Sequence, residues 1–583
     1  MNESGSNLAK IFGFARPYRY SLALLLVLTV ALSVLAMLPP LVTRGIIDKV
    51  LTEGRRDLFL SLSVCMFAMP VVTALCRYLQ TVGIAQIGQR FVFDVRLALY
   101  YHILGLSLRF FGKYSVGKLI NRLMGDSGTV QQMLTAQSIN IISDLVCAAF
   151  AISATFVLDW RLATLLVLII ILFVANYRFS IHSIRRASKG ARTAMDRLSG
   201  GVQNRLVANV AVKTFGAEDR EHGSFQRHSD STLQFGRDAM IAGSNFQHNV
   251  NLIQSLGRSL IYFLGCALVL RGDLTYGDVV AFTTYAMQLL MPAVRFSELA
   301  RQLQDVSIAT ERLFEVFGET AEIQSPPNPV RVARVRGRVD FNAVQFHYEV
   351  GRPVLRVLDL QVEPGETVAL IGPTGCGKST VLSLLLRFYD VTGGELLIDG
   401  VDVRKYDVHN LRSQFGIVLQ EPLLFGTTVA ENIRYGRPSA TRAEIEAAAR
   451  VAEIHDFIMT LPKGFDTSVG DAGVELSVGQ KQRINIARAV AADPAILIMD
   501  EATSSLDSDS EHAIQKAMDR VLEGRTSFVV AHRLSTIRNA DKIVLLDQGR
   551  IAEMGRHDDL MSIPDGRYHD LYTKHMGAGV LAE

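Results

Sequence analysis

The chain has 583 residues, 49% of them hydrophobic, with a formal net charge of +3 and a mean hydropathy of +0.23. It is too long for one ordinary domain, too apolar for an ordinary soluble protein, and too nearly neutral to point to nucleic acid as a partner. The five cysteines, Cys65, Cys76, Cys147, Cys266 and Cys376, are odd in number and widely spaced. No CxxC pair occurs among them, so neither a disulfide framework nor a zinc site is expected.

The N-terminus carries no small-residue cleavage site after its first apolar run, so that run reads as a membrane helix rather than a removed signal. Six apolar windows follow one another, at roughly 20–44, 57–80, 136–158, 161–182, 250–271 and 278–300. Each is about the 20 residues needed to cross about 30 Å of hydrocarbon. The second is the weakest, because it contains Pro70 and Arg77. The segment between windows two and three holds Arg90, Arg96, Arg109, Lys113, Lys118 and Arg122; that between four and five holds Arg185, Arg186, Lys189, Arg192 and Arg197. Basic loops stay in the cytoplasm, which puts both termini there as well. The loop with Lys49, Arg55 and Arg56 runs against this rule but is outweighed. Helices two to five are expected to run well past the bilayer into the cytosol.

The pattern changes near residue 320. The expected division is a membrane domain over 1–320, a linker over 321–336 broken by Pro326, Pro327 and Pro329, and a soluble domain over 337–583. In the last, β-rich runs at Glu366–Ile371, Gly394–Ile398, Ala495–Met499, Ser527–Ala531 and Lys542–Leu546 alternate with helical stretches. That alternation predicts an α/β sheet with helices on its faces.

Gly372-Pro373-Thr374-Gly375-Cys376-Gly377-Lys378-Ser379 fits GxxxxGK[ST] in full. It follows the apolar run Val368–Ile371 and precedes a helical stretch over Thr380–Phe388, the context the motif requires. Glycines let backbone N–H groups converge on phosphates at a positive helix end. Lys378 is expected on the β and γ phosphates and Ser379 on Mg²⁺. Further on, Ile496–Met499 is an apolar strand ending in Asp500 and Glu501. Asp500 suits the Mg²⁺ shell, and Glu501 suits polarising an attacking water.

With these residues the chain resembles the ABC transporters, of the exporter-type half-transporter architecture, over nearly its whole length. The strongest evidence is Leu476-Ser477-Val478-Gly479-Gln480, which is similar to the family signature LSGGQ, with Val478 in place of the first glycine. The resemblance implies that Tyr348 stacks on adenine, that Thr380 belongs to the ATP site, and that Gln420 senses Mg²⁺ and the water. It implies a segment Thr467–Asp471 touching the membrane domain, a loop Ser504–Asp507 whose Asp507 is its defining residue, and a switch histidine at His532. It also implies that Ser477, Val478, Gly479 and Gln480 act across a dimer, each ATP lying between one copy's phosphate loop and the other's signature. Phe110-Phe111, Gly117 and Asp126 resemble a first cytoplasmic coupling region, and Val212–Phe215 with Glu218 a second; Gly272–Asp278 and Pro292 resemble features of the last helix.

The implied protein is an ATP hydrolase with ATP and Mg²⁺, multi-pass in the bacterial inner membrane. It would be a homodimer, or a heterodimer with a related half. It would export or flip an amphipathic cargo; import is the alternative, since some relatives of this architecture take up siderophores. An ATP-gated channel is disfavoured by Glu501 and His532, and a soluble ABC ATPase by the six windows. Ser244, Gln247, Asn251, Gln254, Ser255 and Arg258 share one face of helix five. Arg77, Arg295, Glu298 and Arg301 add charge near helices two and six. A mid-membrane charge costs about 2.5–3.5 kcal/mol, so such residues mark a wet cavity. Arg77, Asn251, Gln254, Arg258, Arg295 and Glu298 are the expected lining, and a cargo with an acidic or polar head follows.

Overall fold

The computed structural model describes residues 13–470, 473–500, 508–531 and 534–580. They form two compact units, one of residues 1–104 with 114–319, the other of 105–113 with 320–583.

The first unit is helical. Its long helices are α1 (Arg19–Leu35), α2 (Phe59–Leu104), α3 (Ser138–Leu158), α4 (Trp160–Val207), α5 (Glu218–Leu270) and α6 (Tyr276–Gly318). Among the described residues, five helical stretches are long and apolar enough to span a membrane. Helix α2 runs for 46 residues and α4 for 48. At 1.5 Å per residue that is about 70 Å, more than twice the hydrocarbon thickness, so both continue far beyond the lipid. Before α3 the same is done by shorter helical turns from Val116 to Gln137.

The helix ends are chemically defined. Asp159 caps α4, its carboxylate accepting the N–H groups of Arg161 (2.8 Å) and Leu162 (2.9 Å). Thr275 caps α6 in a reciprocal box with Asp278. The same end receives Asp48, which accepts from the Thr275 hydroxyl at 2.7 Å and the Gly277 N–H at 2.9 Å, while Arg44 pairs with Asp278 at 2.8 Å. A side chain at Gly277 would meet the Asp48 carboxylate at 2.5 Å. Inside the unit, Leu162, Leu166, Ile169, Ile261, Phe282 and Tyr285 form a buried core. Gly257 lets Ile169 approach, and Gly265 does the same for Val279; small residues at helix contacts are how membrane helices pack closely. Leu24, Leu60, Phe67, Leu75, Ile171 and Phe263 face outward instead, as lipid-facing residues must.

The second unit contains a ten-stranded sheet in the order β5-β4-β1-β2-β10-β9-β3-β8-β7-β6. The strands are β1 (Val339–Glu349), β2 (Arg352–Val362), β3 (Thr367–Ile371), β4 (Gly393–Ile398), β5 (Val401–Asp402), β6 (Phe415–Val418), β7 (Ile496–Asp500), β8 (Thr526–Val530), β9 (Lys542–Asp547) and β10 (Arg550–Gly555). Strands β6, β7, β8, β3 and β9 are parallel. They read as near-continuous apolar runs because both faces are buried. Strands β1, β2, β4 and β5 are antiparallel. Two apolar cores lie in this unit, one containing Ile484, Leu497 and Val529, the other Leu360, Leu370 and Phe528. The chain thus joins a membrane domain of helices to an α/β nucleotide-binding domain.

Candidate nucleotide site

In a parallel sheet, ligands bind beyond the carboxyl ends of the strands. Here those ends gather the motif residues. Strand β3 stops at Ile371 and the phosphate loop begins at Gly372; β7 stops at Asp500; β6 stops two residues before Gln420; β8 stops two residues before His532. Asp500 pairs with Val530 and Met499 with Val418, which aligns these ends along one edge. Glu501, Asp507, His532 and Asp471 lie outside the described residues.

The loop is shaped by backbone that only glycine adopts freely. Gly372, Gly375 and Gly377 have φ of +138°, +82° and +112°. At Gly372 a Cβ would lie 2.1 Å from the Leu546 carbonyl oxygen, and at Gly377 2.7 Å from Leu355. At Gly372 and Gly377 the loop therefore has no room for a side chain, which brings its backbone close to its neighbours there. It opens into helix α7 (Lys378–Leu385). The Lys378 ammonium donates to the carbonyls of Gly372 (2.7 Å) and Pro373 (3.1 Å) and lies 3.9 Å from Cys376 Sγ. Pro373, Thr374, Gly375 and Ser379 are solvent-facing, whereas Cys376 and Thr380 are buried.

Tyr348 is 41% exposed, and its hydroxyl is 3.2 Å from that of Thr380. Two aromatics meet its ring edge-on: Phe346 at 4.8 Å and Tyr389 at 5.2 Å, both at 89°. Burial, with Tyr348 beside it, pushes the Tyr389 phenol up. Tyr389 was not legible from the motifs. The aromatic pair Phe388-Tyr389 after the loop's helix is the only local cue. Such edge-to-face pairs contribute about 0.5–1.5 kcal/mol. Tyr389→Ala is thus expected to raise KM for ATP about two- to tenfold with kcat nearly unchanged, and Tyr389→Phe to restore it. Steady-state kinetics at varied ATP check this; a fall confined to kcat would contradict it.

Cys376 is only 4% exposed. Alkylation there puts bulk into the loop beside Lys378. N-ethylmaleimide is expected to abolish ATPase, ATP to slow the loss, and Cys376→Ala to be insensitive. Equal inactivation with and without ATP would count against this placement of the thiol.

The signature segment opens helix α8 (Val478–Ala491). Ser477 Oγ accepts the Gln480 N–H at 3.3 Å, and Gln480 Oε1 accepts the Ser477 N–H at 2.9 Å. This capping box leaves Val478 at the first helical position, 53% exposed, and Gly479 buried. Valine therefore replaces glycine without disturbing the cap.

The segment Gly105–Lys113 clusters with this second unit. Within it Phe110 is buried and Arg109 pairs with Glu322 at 3.2 Å. Between α4 and α5, the short helix Asn209–Thr214 leaves Val210 and Phe215 exposed, and Lys213 pairs with Glu218 at 3.0 Å. Of the expected cavity lining, Gln254 is half-buried, while Arg77, Asn251 and Arg258 are exposed. Asn251 accepts from Gln247 at 3.2 Å. The side chains of Arg295 and Glu298 lie outside the described residues.

Fold and site define a membrane protein fused to a P-loop nucleotide-binding domain. Residues 22–293 match the family model described as the ABC transporter transmembrane region, and residues 355–504 the model described as ABC transporter. The chain is 35% identical to the candidate multidrug export ATP-binding/permease protein YgaD of Bacillus subtilis strain 168, covering 96% of this chain and 98% of that one. It is 34% identical, over the same shares, to a protein of Staphylococcus aureus strain NCTC 8325 with the same description. A solved bacterial Atm1-family ABC exporter with ATP bound superposes with a TM-score of 0.78 at 30% identity, covering 96% of this chain and 98% of that one. The chain belongs to the ABC transporter family, in the exporter-type half-transporter architecture.

Proposed function

We propose that two copies of this chain form an ATP-driven exporter or flippase for an amphipathic molecule with a polar head. The membrane domain spans 1–320 with six crossing helices, residues 321–336 link it to the nucleotide domain over 337–583, and the termini and nucleotide domain are cytoplasmic. The observation that carries this reading is that one chain holds one glycine-shaped phosphate loop and one intact signature cap. A complete site, with the loop of one copy facing the cap of the other, therefore calls for two chains. The undisturbed cap at Val478 favours a homodimer over pairing with a different half.

The residues fit the nucleotide they are assigned. Tyr348 offers an exposed ring for adenine, Thr380 orients that ring through its hydroxyl, and backbone N–H groups of the loop, among them those of Gly375, Gly377 and Lys378, would serve the phosphates. Ser379, Gln420 and Asp500 would hold Mg²⁺, which would supply charge neutralisation at the phosphates. Glu501 holds the attacking water and His532 contacts the γ-phosphate. Ser477, Val478, Gly479 and Gln480 of the signature close the site from the other copy, and Asp507 is assigned to the loop that resembles the family's D-loop.

The test is ATPase activity of the chain purified alone in lipid nanodiscs. Activity at micromolar to millimolar ATP is expected, and stimulation by an amphipathic compound identifies cargo. A folded, ATP-binding but inactive preparation that gains activity only with a related half would replace the homodimer with a heterodimer.

A further inference from the structure

Within the first unit lies a cavity of about 530 Å³, between the turns preceding α3, the cytosolic part of α4 and the last third of α6. Its size is in the range of small-molecule sites, about 300–1,000 Å³. Its wall is unlike most such sites, being polar rather than apolar. Gln132, Gln137 and Gln302 contribute amides, and Asp126 and Arg312 contribute charge.

Asp126 is the unusual member. It is 7% exposed, and its Oδ2 is buried without a hydrogen-bond partner. The nearest cation, Arg312, stands 3.7 Å from Oδ1, beyond hydrogen-bonding reach. Arg122, the other nearby guanidinium, is engaged through Nη2 at 2.8 Å by Glu315 and stacks at 4.7 Å on Tyr114, while its Nη1 is buried without a hydrogen-bond partner among the described residues. Burial pushes the Asp126 carboxyl above the usual range, against the pull of Arg312 and Arg122. A buried carboxylate accepts and cannot donate, and leaving an acceptor unpaired in such a place is costly. Cations stand near it, but no described donor reaches Oδ2.

We infer that this cavity binds a small molecule through one ammonium or guanidinium group, which donates to Asp126 Oδ2 while the glutamine amides hold its remaining polar atoms. Charge-assisted bonds of this kind are the strong ones. The wall is mostly polar, with Val306, Ile308 and Ala309 as its apolar part, so the cavity suits a polar head group with a short alkyl stub. Arg192 and Asp305 also stand on the lining, so its charges are two acids and two bases. That this ligand is cargo rests on the transporter reading above; that it binds does not.

The experiment uses the full chain in nanodiscs without nucleotide, with n-butylguanidinium as probe and the neutral isostere n-butylurea as reference. Wild type is expected to bind the guanidinium at least tenfold more tightly than the urea, and Asp126→Asn to bring the two within threefold. No preference in wild type, or a preference that survives Asp126→Asn, overturns the inference. A second measurement leaves Asp126 intact: in a chain freed of its five natural cysteines, Gln132→Cys is labelled with a neutral maleimide. Saturating butylguanidinium should slow labelling at least fivefold and butylurea should not; equal rates overturn the site. ATPase measured on the same nanodiscs reports separately on the transporter reading, which can stand or fall without altering either binding result.

Discussion

Lys378→Ala is expected to give a folded protein that no longer retains ATP. The Lys378 ammonium donates to the Gly372 and Pro373 carbonyls at 2.7 and 3.1 Å, which holds the charge against the start of the glycine-shaped loop. Phosphates offer that ammonium stronger acceptors than neutral carbonyls. Hydrogen bonds to charged groups contribute about 1.5–3 kcal/mol each, so losing two weakens binding about 10²- to 10⁴-fold. Titration with a fluorescent ATP analogue reads this directly. A Kd within threefold of wild type would remove Lys378 from the site. Thermal melting of the variant should stay close to wild type, because the ammonium's partners are solvent-near carbonyls rather than a buried network.

Glu501→Gln is expected to separate binding from turnover. Asp500 ends β7 in register with Val530, at the sheet edge where the phosphate loop starts after Ile371, and Glu501 is the next residue in sequence. A carboxylate there can orient and deprotonate water; the isosteric amide can only orient it. General-base assistance is typically worth about 10²–10⁴ in rate. ATPase in nanodiscs should fall by that factor while nucleotide affinity holds, and the variant should trap ATP. Turnover above a tenth of wild type would mean that the base is another group.

The legible parts of this protein are those written in contiguous residues. The phosphate loop needs eight consecutive positions, and the parallel strands β3, β7, β8 and β9 are short apolar runs that sit within a residue or so of their expected places; Ala495–Met499, for example, is found at Ile496–Asp500, while the parallel strand β6 was not among the expected runs. The antiparallel strands β1 and β2 were not legible. Their register slips repeatedly through bulges, which scrambles the two-residue alternation that marks a strand. Tyr389 and the open Asp126 oxygen were hidden for a different reason. Tyr389 acquires its place from Tyr348, 41 positions earlier, and Asp126 from α6, more than 170 positions later. Neither relation has a period or a spacing. Asp126 was singled out by resemblance as part of a coupling region, and only packing reveals the buried acceptor it presents.

Helix α5 is one uninterrupted rod of 53 residues, about 80 Å from end to end. A rod of that length converts angle into distance. Tilting it by about 5° about its Leu270 end carries its Glu218 tip about 7 Å, the width of a small polar molecule and more than one helical turn of 5.4 Å. The exposed Val210 and Phe215 sit just before that tip in sequence, where the sweep is greatest. Over the same arc, residues near Arg271 barely move, so a single hinge angle can leave the turn after Leu270 unchanged while it shifts the other end.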